Sequence, residues 1–385
     1  MNRAGVPVAG AGLLAVVLAA APAVAAPRAD SALPPRISAV LAPGQGCVKP
    51  STGSAVVASA AHRVLTPARS WPLSRGAGVR VAVLDTGLSG GVSPQLDGQV
   101  TRGPDVVRGG RTRSDCIGHG TFVAGLIAAR PRPGTTVVGM APQAHVYAVT
   151  VTAARGATGP DVLAKGIRAA VDAGCRIIDV SVVAPASSRR LVAAVEYAIA
   201  RGALVIAPAV ADDQSLDGPV YPAALPGVVS VANSAAQGTS TADLAAPGDA
   251  VLSVGPGAGA FVGSGAAYAS ALVAATAALM DAYRPGLTLE QRVNRLISTA
   301  YPSAASAPVV DPEAAVSMIL PGEYGAAPER PRPGPGVAAL PAPVLDPVWY
   351  SSLAVAGAGA LAVLLALAGV LTVRRGRERG WHPER

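Results

Sequence analysis

Apolar positions in this 385-residue chain recur in two patterns that alternate along the sequence. Short unbroken apolar runs at 79–84, 144–151, 177–183, 203–207 and 227–232 read as strands buried on both faces. Between and after them, helical spacing is predicted at 120–129, 159–173, 189–200, 267–283 and 289–299, with Val162, Leu163, Ile167 and Val171 on one face of the second. Buried strands alternating with helices predict an α/β fold, a parallel sheet covered by helices on both faces. Such sheets place their sites beyond the carboxyl ends of strands, and Asp85 follows the first run there. Residues 27–68 show little periodicity and are predicted to be irregular.

The two ends of the chain follow other patterns. Residues 1–26 carry Arg3, then an apolar run, then Ala23-Val24-Ala25, the layout of a secretory signal peptide. Residues 321–348 are rich in Pro, Gly and Ala and read as a stiff spacer. The stretch 353–373 then holds no charge and as a helix would extend about 31 Å, close to the hydrocarbon thickness of a bilayer. Trp349 and Tyr350 stand at one margin, and Arg374, Arg375, Arg377 and Arg379 at the other, which the positive-inside rule assigns to the cytoplasm. The expected organisation is a signal peptide (1–26), an N-terminal extension (27–68), a main domain (69–320), the linker (321–348), a single transmembrane helix (349–373) and a basic cytoplasmic tail (374–385). The body is then extracytoplasmic, on a single-pass protein of the cytoplasmic membrane.

Composition adds two points. The net charge of +8 rests almost wholly on Arg, and the last twelve residues hold five Arg against two Glu. Without a basic patch interleaved with aromatics, the excess points to no nucleic-acid partner. Three cysteines suit an oxidising exterior, and the odd count leaves one unpaired. Cys47 and Cys116 are the favoured pair, because Cys116 lies in a loop just before His119; Cys175, ahead of an apolar strand, reads as a buried free thiol.

The candidate chemistry sits in two boxes, V-A-V-L-D-T-G-L at 81–88 and S-D-C-I-G-H-G-T-F-V-A-G at 114–125. An aspartic protease also carries D-T-G but needs a second copy, and that reading leaves the histidine box unexplained. Together the boxes resemble the Asp and His motifs of the subtilisin-like serine proteases. Tyr221-Pro222-Ala223 and L-A-A-P-G at 244–248 are similar to further segments of that family. Closer still is a resemblance to the mycosins, membrane-anchored subtilases of type VII secretion. It rests on G-A-G-V-R-V-A-V-L-D-T-G-L at 76–88, D-C-I-G-H-G-T at 115–121, V-V-D-P-E-A-A at 309–315 and the arrangement of the two termini.

The resemblance implies a subtilisin-like fold in which Asp85 and His119 hold retained triad positions. It also locates three departures. The family's G-T-S-F-A-A-P box falls on G-A-A-Y-A-S-A at 265–271, so Ala267 stands where the nucleophilic serine belongs, with Ala266 and Ala271 in place of Thr and Pro. The oxyanion asparagine falls on Ala211. The substrate-strand glycines fall on Val183 and Ala184, behind Ser181 and Val182, which is expected to narrow the cleft. Ser264 and Ser270 are each three residues from Ala267, one turn or about 10 Å away, too far to substitute for it. The resulting expectation is a pseudoprotease subunit that stabilises a type VII secretion membrane complex, with that complex and the bilayer as partners. Two rivals are an active serine endopeptidase with a non-standard nucleophile and a stand-alone surface protein that grips extended peptide. The sequence offers no cofactor motif or metal-ligand cluster.

Overall fold

The alternation of strand and helix closes into one seven-stranded sheet with the order β2-β3-β1-β4-β5-β6-β7, every neighbouring pair parallel. The structure is a computed structural model that describes residues 34–380, apart from 90–92, 113, 213–215, 217, 236–240, 304–306, 322 and 324–346. The predicted signal peptide, most of the linker and the last five residues lie outside the described residues. The chain divides into two units, 1–328 and 329–385. In the first, the elements are α1 (Ala60–Leu65), β1 (Arg80–Asp85), β2 (Val100–Asp105), α2 (His119–Ala128), β3 (His145–Thr150), α3 (Pro160–Asp172), β4 (Ile177–Val180) and α4 (Arg189–Ala200). They continue with β5 (Leu204–Pro208), β6 (Val228–Asn233), β7 (Leu244–Ala246), β8 (Val251–Val254), β9 (Ala260–Gly263), α5 (Ala266–Tyr283), α6 (Leu289–Ser298) and α7 (Pro312–Ser317). The second unit holds α8 (Pro347–Glu378).

Successive side chains of a strand point to opposite faces, and the two cores follow that rule. Val81 and Val83 of β1 pack with α2 and α5, while Ala82 and Leu84 pack with α3 and α4. Helix α5 has apolar residues all round, as an interior helix must, and is buried from Ala266 to Asp281. By length and composition it would also suit a membrane, but its burial marks it as the core helix of the domain. In the second unit α8 runs for 32 residues, about 48 Å, and exposes Leu361, Val363, Leu364 and Leu365.

Three details differ from the pattern along the sequence. The stretch 27–68, expected to be irregular, contains α1, which starts at Ser59, whose hydroxyl accepts the His62 N–H at 3.2 Å. Strand β4 stops at Val180 rather than 183, because Ala184 leaves the sheet to exchange two backbone hydrogen bonds with Tyr221. Strands β2 and β7 to β9 lack a long apolar run, so periodicity does not announce them. The antiparallel β8–β9 hairpin receives the N-terminal extension. Ile37 N–H donates to the Val262 carbonyl (2.9 Å) and Val262 N–H to the Pro35 carbonyl (3.0 Å). Leu41 N–H then reaches the Arg155 carbonyl (3.3 Å), and the Cys47–Cys116 disulfide ties the extension to the loop before α2. Cys175 is a buried free thiol.

Candidate active site

Asp85 ends β1 inside the sheet, His119 is the first residue of α2, and the fold brings these two residues together across 34 positions. The turn that delivers His119 has specific requirements. Gly118 caps the helix at φ +83°, a left-handed conformation that a side chain disfavours. At Gly120 a Cβ would stand 2.4 Å from the Gly87 carbonyl oxygen, so the D-T-G and H-G-T segments touch only because glycine is there. The buried Asp115 carboxylate gathers the loop, accepting the N–H groups of Ile117 (3.0 Å), Gly118 (2.8 Å) and Thr121 (3.3 Å). Burial first, and then the Asp85 charge, push the Asp115 carboxyl upward from its ordinary pKa.

Asp85 accepts a hydrogen bond from His119 Nδ1, whose distances to Oδ2 and Oδ1 are 2.8 and 2.9 Å, and Thr86 N–H donates to Oδ1. This is the Asp–His geometry of a Ser-His-Asp arrangement, with the imidazole fixed in ring position. The ring rests against Tyr268, centroid to centroid 5.1 Å. Its other nitrogen, Nε2, meets no hydroxyl: among the described residues it has no hydrogen-bond partner. The group that faces it is the Asp212 carboxylate, with Oδ2 at 3.8 Å. Burial by itself lowers the imidazole pKa, but Asp85 and then Asp212 outweigh it and raise His119 to about 10.

The structure places the other sequence-predicted positions around the same point. Ala267 lies in the first turn of α5, 1% exposed, and its N–H donates to Asp212 Oδ1 at 3.0 Å. Ala211 lies close by but brings only a methyl group. The polar atoms at the helix head come instead from the next residue, Asp212, which the sequence motifs do not single out. An acidic residue beside the expected asparagine was legible, but the direction of its side chain was not. Ser264 and Ser270 are engaged elsewhere. Ser264 Oγ accepts the Ala250 N–H at 3.0 Å, while Ser270 Oγ is fully buried between Asp179 Oδ1 (2.8 Å) and the Ala267 carbonyl oxygen (2.9 Å).

Asp179 is also invisible to motif and spacing, because it sits inside an apolar strand as a single acidic residue. It is fully buried, takes a hydrogen bond from Ser181 Oγ at 2.6 Å, and burial raises its carboxyl to about 7. Beside this group a cavity of about 320 Å³ opens, bounded by Val40 of the extension, Arg155, Val182, Val183, Asp212 and Ala267. The extension therefore forms part of the cleft wall; of the three residues expected to narrow it, Val182 and Val183 line the cavity, whereas Ala184 pairs with Tyr221 instead.

A profile of the subtilase family (peptidase S8) matches residues 76–326. Mycosin-4 of Mycobacterium tuberculosis (strain ATCC 25618 / H37Rv) is 33% identical over 371 residues, covering 80% of this chain and 80% of that protein. The crystal structure of MycP1 from the ESX-1 type VII secretion system superposes with a TM-score of 0.62 at 26% identity, over 75% of this chain and 97% of that one. The MycP3 protease from the type VII (ESX-3) secretion system gives 0.60 at 28% identity, over 75% and 98%. Fold, family profile and similarity over most of the chain agree: it belongs to the subtilase family and is mycosin-like within it.

Proposed function

We propose that this chain is a catalytically silent mycosin-like component of a type VII secretion system, held at the outer face of the cytoplasmic membrane by α8. In this reading Asp85 and His119 keep the triad positions, Ala267 marks the lost serine and Ala211 the lost oxyanion asparagine. One observation carries it: at His119 Nε2, where a nucleophilic hydroxyl must stand within about 3 Å, the facing group is the Asp212 carboxylate at 3.8 Å. Neither nearby serine offers a substitute, since each is tied to other partners. Subtilisin, the namesake of the family, loses about 10⁶ in kcat when its serine is removed. What remains is a rigid domain, tied to its extension by a disulfide, whose contribution is to the stability of a membrane assembly. The uncharged stretch 353–373 and the arginines after it support the anchor and the outward orientation of the body.

The test uses the purified full chain and a fluorophosphonate serine probe, with an active mycosin as positive control. No labelling of folded wild type is expected. Labelling that vanishes in His119→Ala would refute the reading and identify an active endopeptidase, and mapping the modified residue would name its nucleophile. Deleting the gene is expected to weaken the secretion membrane complex on native gels, and Ala267→Gly to leave that complex intact.

A further inference from the structure

We propose that His119 Nε2 and the Ala267 amide form a carboxylate-binding site that this chain fills with its own Asp212. Three independent features converge on it. The Ala267 N–H, at the head of the 18-residue helix α5, already holds Asp212 Oδ1 at 3.0 Å, where the helix dipole favours an anion. The second donor, Nε2, is completely buried and unpartnered among the described residues, and it faces Oδ2, itself unpartnered, at 3.8 Å. Gly265 leaves the space: a Cβ there would stand 2.2 Å from the Asp212 carboxyl carbon. One carboxylate thus spans the helix head and the imidazole, one oxygen directed to each.

A ring held between Asp85 and Asp212 is stabilised as an imidazolium, which carries no lone pair on Nε2 and cannot take a proton from a hydroxyl. The cleft is therefore closed to acid–base chemistry by an internal anion as well as by the absent serine. A filled anion site deepens the pseudoprotease reading, on which it rests for the meaning of the cleft. Emptied of Asp212, the same two donors would accept a small carboxylate or the C-terminal carboxylate of a peptide. The charged and titratable groups around the ring are Asp85 at the end of β1, Asp179 in β4, Asp212 after β5 and Tyr268 in α5, while Asp115 in the loop before α2 acts on Asp85.

The chain has four histidines, so ring-¹⁵N-histidine labelling of the full chain in detergent micelles resolves His119. In wild type, both ring nitrogens of His119 are expected to stay protonated well above neutral pH. In Asp212→Asn, the deprotonation midpoint falls by about one pH unit or more, a tenfold change in proton affinity. In Asp212→Gly, sodium acetate raises the midpoint again, sodium chloride at equal ionic strength does not, and wild type responds to neither. An unchanged midpoint in Asp212→Asn overturns the proposal, as does an acetate effect equal in wild type and Asp212→Gly. Asp212→Asn is nearly isosteric, so its titration decides the matter even if Asp212→Gly does not fold. Failure of the carboxylate site appears in this titration, whereas failure of the pseudoprotease reading appears in probe labelling of wild type.

Discussion

Replacing Asp179 with Asn is expected to stabilise this protein in neutral and alkaline solution and to leave it nearly unchanged in acid. The hydrogen bonds around Asp179 give the reason. Ser270 Oγ sits between Asp179 Oδ1 and the Ala267 carbonyl oxygen, at 2.8 and 2.9 Å, but has a single hydrogen. A carbonyl oxygen can only accept, so both contacts are hydrogen bonds only when the carboxyl is protonated and donates to Ser270. Asn reproduces that arrangement: its amide donates to Ser270, and its oxygen accepts from Ser181. Burial holds the Asp179 carboxyl at about 7 in the folded chain against an ordinary value of 3.8. Since the folded value is raised, the stability is fully present below the unfolded value and is lost as pH climbs through the folded one. At 1.36 kcal/mol per unit, ionising Asp179 costs wild type roughly 4 kcal/mol, most of it incurred between about pH 4 and pH 8. Urea unfolding of both proteins in mild detergent, followed by near-UV circular dichroism at those two pH values, reads the difference. Asp179→Asn should match wild type within about 1 kcal/mol in acid and exceed it by about 3 kcal/mol in mild alkali. An Asn variant destabilised equally at both pH values would show that Asp179 is needed as an ion, and the reasoning would fail.

Two further outcomes follow from the same geometry. The raised His119 pKa contributes stability that is complete below its unfolded value of 6.5 and is lost as pH rises through about 10, so the thermal midpoint should keep falling after Asp179 has ionised. A flat profile across that alkaline window would show that the ring is not held as a cation. The Cys47–Cys116 bond joins residues 69 positions apart, and its removal by paired Ser substitutions should cost about 4 kcal/mol on the loop-entropy estimate. A loss in urea stability under about 1 kcal/mol would mean that the backbone hydrogen bonds at Ile37, Val48 and Ser51 alone fix the extension.

The sequence by itself determined the parallel sheet, because strands buried on both faces need continuous apolar runs, and those runs are visible without knowing any partner. It also paired Asp85 with His119, because the boxes around them resemble the Asp and His motifs of one family. That position 267 carries no hydroxyl was equally plain, since a missing atom type needs no geometry. The tertiary structure alone decided which group faces His119 Nε2. Asp212 lies 93 positions from His119 and 55 from Ala267, and only the crossing of β5 and α5 brings its carboxylate between them. The hairpin strands β8 and β9 were likewise invisible, because the hairpin is specified by the extension and by helix α2 packed against it, not by local periodicity. Asp179 looked like one polar break in an apolar strand, and only its complete burial makes it a proton-binding group near neutral pH. Charge chemistry depends on distances and desolvation set by the whole fold, whereas strand and helix patterns depend on neighbours along the chain.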